Sequence, residues 1–159
     1  MRPDFRFLIA HPAHFVACGF GSGLSPKAPG TAGTLAAWAI FPIFGTTLAD
    51  GALLVLLALF FGLGVIVAER TGRDLGVSDH GAIVWDEMVP FWLILVLTPK
   101  SWPWQAAAFV LFRFFDIVKP PPVRWADRRV KGGFGVMLDD LIAAGYTLLV
   151  LALFKRLLD

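Results

Sequence analysis

Between Arg113 and Asp140 the chain gathers six bases, Arg113, Lys119, Arg124, Arg128, Arg129 and Lys131, and four carboxylates, Asp116, Asp127, Asp139 and Asp140. The flanking stretches are nearly all apolar, and a charge placed beside lipid is expensive. A chain this apolar that concentrates its charge in one segment has a use for it. Clustered carboxylates without histidine or cysteine among them suit a hard, oxygen-seeking cation such as Mg²⁺. Arginines grip phosphate through paired N–H donors, and lysines meet it as point charges. The segment therefore reads as an anion site at a membrane edge, with acids for a metal and bases for a phosphate. The chemistry such parts serve is attack on a phosphate ester.

A second group of acids lies upstream. Asp86 and Glu87 are adjacent inside the apolar run GAIVWDEMVPFWLILVL. At the centre of a membrane helix each would cost about 2.5–3.5 kcal/mol, so the pair is expected near the interface, facing protein. Asp79 precedes Asp86 by two helical turns, which places both on one face if the helix is continuous across Gly81. Glu69 is a weaker candidate, a helix-end residue open to solvent. Upstream again, Gly19 to Ala37 reads as a glycine-rich loop feeding a helix, with Thr31 or Thr34 as its N-cap. Such a loop offers free N–H groups to an anion, and Lys27 adds a charge; a plain surface turn fits the same residues. No Gly-Lys-Ser/Thr follows at Walker spacing. Other phosphatase chemistries lack their residues: there is no Cys-x5-Arg loop, no Asp-x-Asp pair, and no histidine near the arginines.

These residues need a scaffold. Residues 5–20 predict one or two short interfacial helices broken at Pro12, with His11 and His14 as polar-edge residues or ligands. Leu35 to Ala49 and Gly51 to Ala68 are uncharged spans joined by a tight turn at Asp50-Gly51, a helical hairpin whose arms approach the length of a bilayer crossing. Glu69 to His80 reads as a polar loop. Further helices are expected after Gly81, over Trp104 to Phe115, and over Leu141 to Phe154. Asp139-Asp140 would open the last of these, where capping alone explains two acids. Pro120-Pro121-Pro122 forbids helix, Val123 to Lys131 allows a short one, and Gly132, Gly133 and Gly135 end it.

Composition agrees. The 159 residues are 57% hydrophobic and only 16% charged, against roughly 45–50% and 25% in soluble domains. The expected fold is a single all-α domain over residues 1–159, a polytopic membrane bundle of four or five apolar helices with polar cytoplasmic loops. With five alternating spans, eleven bases fall on one side and only Lys100, Lys155 and Arg156 on the other. The positive-inside rule makes the richer side, which carries every polar motif, cytoplasmic. The lone Cys18 excludes an internal disulfide and reads as a packing residue.

Three segments, GFGSGLSPKAPGTAGTLAA, DHGAIVWDEMVPFW and RFFDIVKPPPVRWADRRVKGGFGVMLDD, together resemble the phosphatidylglycerophosphatase A family. The resemblance implies a bacterial inner-membrane, Mg²⁺-dependent lipid phosphatase that converts phosphatidylglycerophosphate to phosphatidylglycerol and phosphate. The family's motif acids match at Asp79, Asp86, Glu87, Asp116, Asp127, Asp139 and Asp140. Its motif bases match at Lys27, Arg113, Lys119, Arg124, Arg128 and Arg129. On this reading Asp79, Asp86, Glu87, Asp139 and Asp140 hold Mg²⁺, the six bases hold phosphate, and a carboxylate among Asp79, Asp86, Glu87 and Asp139 does the proton or nucleophile work. For Asp116 and Asp127, salt-bridge roles weigh equally. The competing expectation is a non-catalytic membrane protein whose basic loops bind anionic headgroups; it accounts for the arginines but not for the acidic pairs.

Overall fold

The computed structural model describes residues 2–158. Among them there is helix and no strand. Two short helices come first, α1 (Phe5–Ala10) and α2 (Pro12–Ala17), divided at His11-Pro12 as the sequence suggests. Asp4 caps α1 by accepting from Phe7 N, and His11 caps α2 by accepting from Ala13 N. A 3-10 turn over Gly19–Leu24 leads to α3 (Pro29–Gly45). Then follow α4 (Asp50–Leu75), α5 (Trp85–Leu97), α6 (Trp102–Val118), α7 (Val123–Arg129) and α8 (Gly132–Leu158).

Several boundaries differ from the expected ones. Asp50-Gly51 is the first turn of α4, so the hairpin turn falls at residues 46–49. The supposed polar loop from Glu69 is largely helix, and α4 ends only where Gly76 adopts the left-handed conformation (φ 73°). The glycines at 132, 133 and 135 open α8 instead of ending a helix. They do so because α8 presses on α4: a side chain at Gly133 would meet the backbone carbonyl of Val65. Asp139-Asp140 accordingly lies two turns inside α8 and caps nothing. The cap of α3 is Ala28, not Thr31 or Thr34.

Two helices, α4 and α8, are long and apolar enough to cross a membrane. Most of the apolar window of α4 faces outward, through Val55, Leu59 and Ile66 among others, which a soluble core helix would not do. The five-span expectation is corrected in length: α3 and α6 have 17 residues and α5 has 13, each short of the roughly 20 a full crossing needs. Helix α5 is the buried centre. Phe91, Trp92, Ile94 and Leu95 are almost wholly enclosed by α3, α4 and α8.

Candidate active site

Chain direction decides where the charges meet. Helices α3, α5 and α8 begin at one end of the bundle, and α4 and α6 finish there. Glu69 of α4 marks that end by accepting from Gly133 N at 2.6 Å. The start of α5 brings in Asp86 and Glu87, the last turns of α6 bring Arg113 and Asp116, and the third turn of α8 brings Asp139 and Asp140. Asp86 interacts electrostatically with Glu87, Asp79, Asp139 and Asp116, and Asp140 interacts with Asp116, Asp86, Asp139 and Glu87. Acids separated by more than fifty residues of chain thus form one cluster.

Two bases are built into it. Arg113 Nη1 lies 2.5 Å from Glu87 Oε2 and 2.6 Å from Asp116 Oδ2. Lys119 Nζ lies 2.8 Å from Asp127 Oδ1 and 2.6 Å from Asp139 Oδ2. Both were expected on phosphate; the structure turns them onto carboxylates, because a buried carboxylate without a countercharge is costly. Lys119 reaches its partners from a left-handed backbone (φ 48°) at the end of α6, a conformation that disfavours a side-chain-bearing residue by roughly 1–2 kcal/mol. Burial opposes its charge, yet the hydrogen bonds to Asp127 and Asp139 hold its pKa above the ordinary lysine value.

Asp86 and Asp140 are different. They are only 6% and 2% exposed. Among the described residues no donor reaches Asp86 Oδ1, and no hydrogen bond or ion pair reaches Asp140. Two enclosed carboxylates without direct partners stay ionised only beside a cation. No three histidine, cysteine, aspartate or glutamate side chains among the described residues form a ready-made cage. A pair of enclosed carboxylates is a donor set of the kind Mg²⁺ takes, which keeps several waters and binds one or two carboxylates plus a substrate phosphate.

The remaining predicted residues sit around the rim. Asp79 lies in the α4–α5 loop and lines a cleft of roughly 30 Å³ with Asp127, Lys131 and Asp139, room for about one water-sized group. It keeps a solvent-facing side, but the protein around it desolvates the carboxyl and raises its pKa above the usual aspartate value, against the pull of Lys119. Lys27, Arg124, Arg128 and Arg129 are exposed and, among the described residues, make no ion pair. They are not drawn into the buried cluster.

Sequence reading missed two positioning residues. Thr34 is fully buried, and its hydroxyl lies 3.1 Å from Glu87 Oε2 and 2.9 Å from Gly30 O. Gly30 is needed because any side chain there would collide with the Glu87 carboxylate. Both fall in the glycine-rich stretch, which therefore serves an acid directly. Their only signal was the density of small residues before an apolar helix.

The fold and site together define a helical membrane protein with acids and bases gathered at one end of the bundle. The model of the phosphatidylglycerophosphatase A family matches residues 15–155. The chain is 46% identical over 149 residues to phosphatidylglycerophosphatase A of Haemophilus influenzae, covering 93% of this chain and 91% of that protein. It is 46% identical over 142 residues to phosphatidylglycerophosphatase A of Escherichia coli, covering 87% and 80%. A Bacteroides thetaiotaomicron protein named "Putative phosphatidylinositol-3-phosphatase" is 43% identical over 158 residues, covering 95% and 94%. No solved structure matches significantly. The chain belongs to the phosphatidylglycerophosphatase A family and is a phosphatase, a phosphoric monoester hydrolase.

Proposed function

We propose that this chain hydrolyses phosphatidylglycerophosphate to phosphatidylglycerol and inorganic phosphate, a step of phospholipid biosynthesis, at the cytoplasmic face of the bacterial inner membrane. The observation that carries the reading is the pair of enclosed, unpartnered carboxylates, Asp86 and Asp140, inside a cluster where Glu87, Asp116, Asp127 and Asp139 are paired with Arg113 or Lys119. The family relationship supplies the substrate class.

Asp86 and Asp140 would hold Mg²⁺, with Glu87, Asp139 and Asp79 as the acids around them. When bound, Mg²⁺ supplies Lewis-acid charge stabilisation at the phosphoryl oxygens. Arg113 fixes Glu87 and Asp116, and Lys119 fixes Asp127 and Asp139, so the acids keep their places without repelling one another apart. The exposed Lys27, Arg124, Arg128 and Arg129 receive the dianionic phosphate from the aqueous side. A water attacks phosphorus and gives its proton to a carboxylate of the cleft, for which Asp79 is placed. The ester P–O bond breaks, and the glycerol oxygen leaves as the hydroxyl by taking the proton that the carboxylate received from water, which restores the carboxylate. The acyl chains stay in the leaflet throughout, so the site belongs at headgroup depth.

The test is phosphate release by the purified chain in detergent. Phosphatidylglycerophosphate and a phosphatidylinositol 3-phosphate control are compared, each with Mg²⁺ or with chelator. Chelator-sensitive release from the first substrate is expected. Release from neither, with headgroup binding retained, would instead make the protein a lipid binder.

A further inference from the structure

Helices α3 and α6 flank α5 without packing closely on each other. A groove of about 550 Å³ lies between them, where Leu35, Trp38, Ala39 and Pro42 of α3 face Trp102 and Gln105 of α6. That volume is in the range of ligand pockets, roughly 300–1,000 Å³. Its polar groups are already occupied. Trp38 Nε1 donates to Gln105 Oε1 at 2.7 Å, and Gln105 Nε2 donates to the Lys100 carbonyl at 3.2 Å. The Lys100 ammonium, at the end remote from the acids, lies 3.7 Å from Asp50. What remains for a ligand is apolar surface. The wall is aromatic, since Trp38 stacks on Trp102 at 4.7 Å and on Phe109 at 5.6 Å.

Both helices that wall the groove run on to the acid cluster. Leu35 follows Thr34, the residue whose hydroxyl meets Glu87. On α6, Phe109 stands one turn before Arg113, which pairs with the same carboxylate. From Leu35 to Thr46 the helix descends about 16 Å at 1.5 Å per residue. Half of a hydrocarbon core is about 15 Å. A chain anchored by its headgroup at the acids therefore has a track of matching depth beside it.

We propose that the α3/α6 groove holds one acyl chain of the lipid whose phosphate is hydrolysed at the acid cluster, an inference that rests on the lipid phosphatase reading above. The enzyme then selects long-chain lipid phosphomonoesters by their tails as well as by their phosphate.

Ala39 lines the groove and is exposed, so Ala39→Trp fills it without disturbing the core. With the full chain in detergent, the variant should lower kcat/KM about tenfold for a phosphatidylglycerophosphate bearing 18-carbon chains. It should leave kcat/KM within twofold for the same headgroup on 4-carbon chains. Equal losses on both substrates, or no loss on either, would overturn the groove. A binding readout keeps the two proposals separable. In vesicles carrying a phosphatidic acid with a photoreactive acyl chain, crosslinks should concentrate on residues 35–46 and 100–105 and be lost in Ala39→Trp. Labelling spread over the outer faces of α4 and α8, unchanged by the variant, overturns the groove whatever the activity. Absent phosphate release from both substrates by the unaltered enzyme, with groove labelling retained, would overturn the phosphatase reading alone.

Discussion

The Lys119 ammonium sits 2.6 Å from the Asp139 carboxylate and so ties the end of α6 to the third turn of α8. Asp139 is 4% exposed, whereas a quarter of the Lys119 side chain meets solvent. Removing the lysine strands a buried carboxylate. Lys119→Ala should destabilise the fold by about 2–3 kcal/mol, below the 3–5 kcal/mol of a fully buried pair because the lysine is partly exposed. The unfolding midpoint in detergent checks this, and Lys119→Arg should recover part of the loss.

The opposite sign is expected at the unpartnered acids. Asp86→Asn and Asp140→Asn each remove an enclosed charge that no side chain neutralises. Metal-free stability should hold or rise, while phosphate release falls at least about 100-fold. Thermal unfolding and initial rates, measured on the same preparations, separate the two effects. A fall in stability matching the fall in rate would assign these acids to the scaffold.

Arg113 serves two carboxylates through one nitrogen. Arg113→Ala should abolish measurable turnover and lower the unfolding midpoint. Arg113→Lys keeps a charge but loses the planar donor geometry. We expect it to restore stability more than rate, leaving kcat reduced by about tenfold.

Thr34→Val keeps the volume of a fully buried side chain and deletes the hydroxyl shared by Gly30 and Glu87. Stability should change by about 1 kcal/mol, the net worth of one hydrogen bond. The informative result is a fall in kcat with KM held, rescued by Thr34→Ser.

Added Mg²⁺ should raise the unfolding midpoint of the unaltered chain, since a ligand bound only by the folded state stabilises it by mass action. The Asp86→Asn/Asp140→Asn double variant should show no such rise. Ca²⁺ should support less activity, because it takes more ligands at longer distances.

The sequence was most legible where a residue has few alternatives. Pro12 divided α1 from α2, the proline run ended α6, and the long apolar runs became helices. The acidic pairs were legible too, because a carboxylate inside an apolar run must face something polar. What escaped reading was set by contacts between distant elements. The glycines at 132, 133 and 135 look like breakers in isolation; only the backbone of α4 against Gly133 makes them helix-compatible. Glu69 looks like the start of a loop until Gly133 N is there to receive it. Thr34 looked like a cap because Glu87, more than fifty residues on, is invisible locally. That Arg113 and Lys119 pair with carboxylates was also hidden, because the sequence does not show which anion a base lies beside.

Glu69 on Gly133 N marks the end of the bundle at which the clustered acids are collected, and that one-ended plan governs how the enzyme must be assayed. For the proposed lipid substrate the two products part company: one diffuses away in three dimensions, the other only laterally in two. Encounter therefore depends on the mole fraction of substrate in the surface, not on its bulk molarity. Diluting substrate with inert detergent or lipid at constant total concentration should slow the reaction as effectively as removing it.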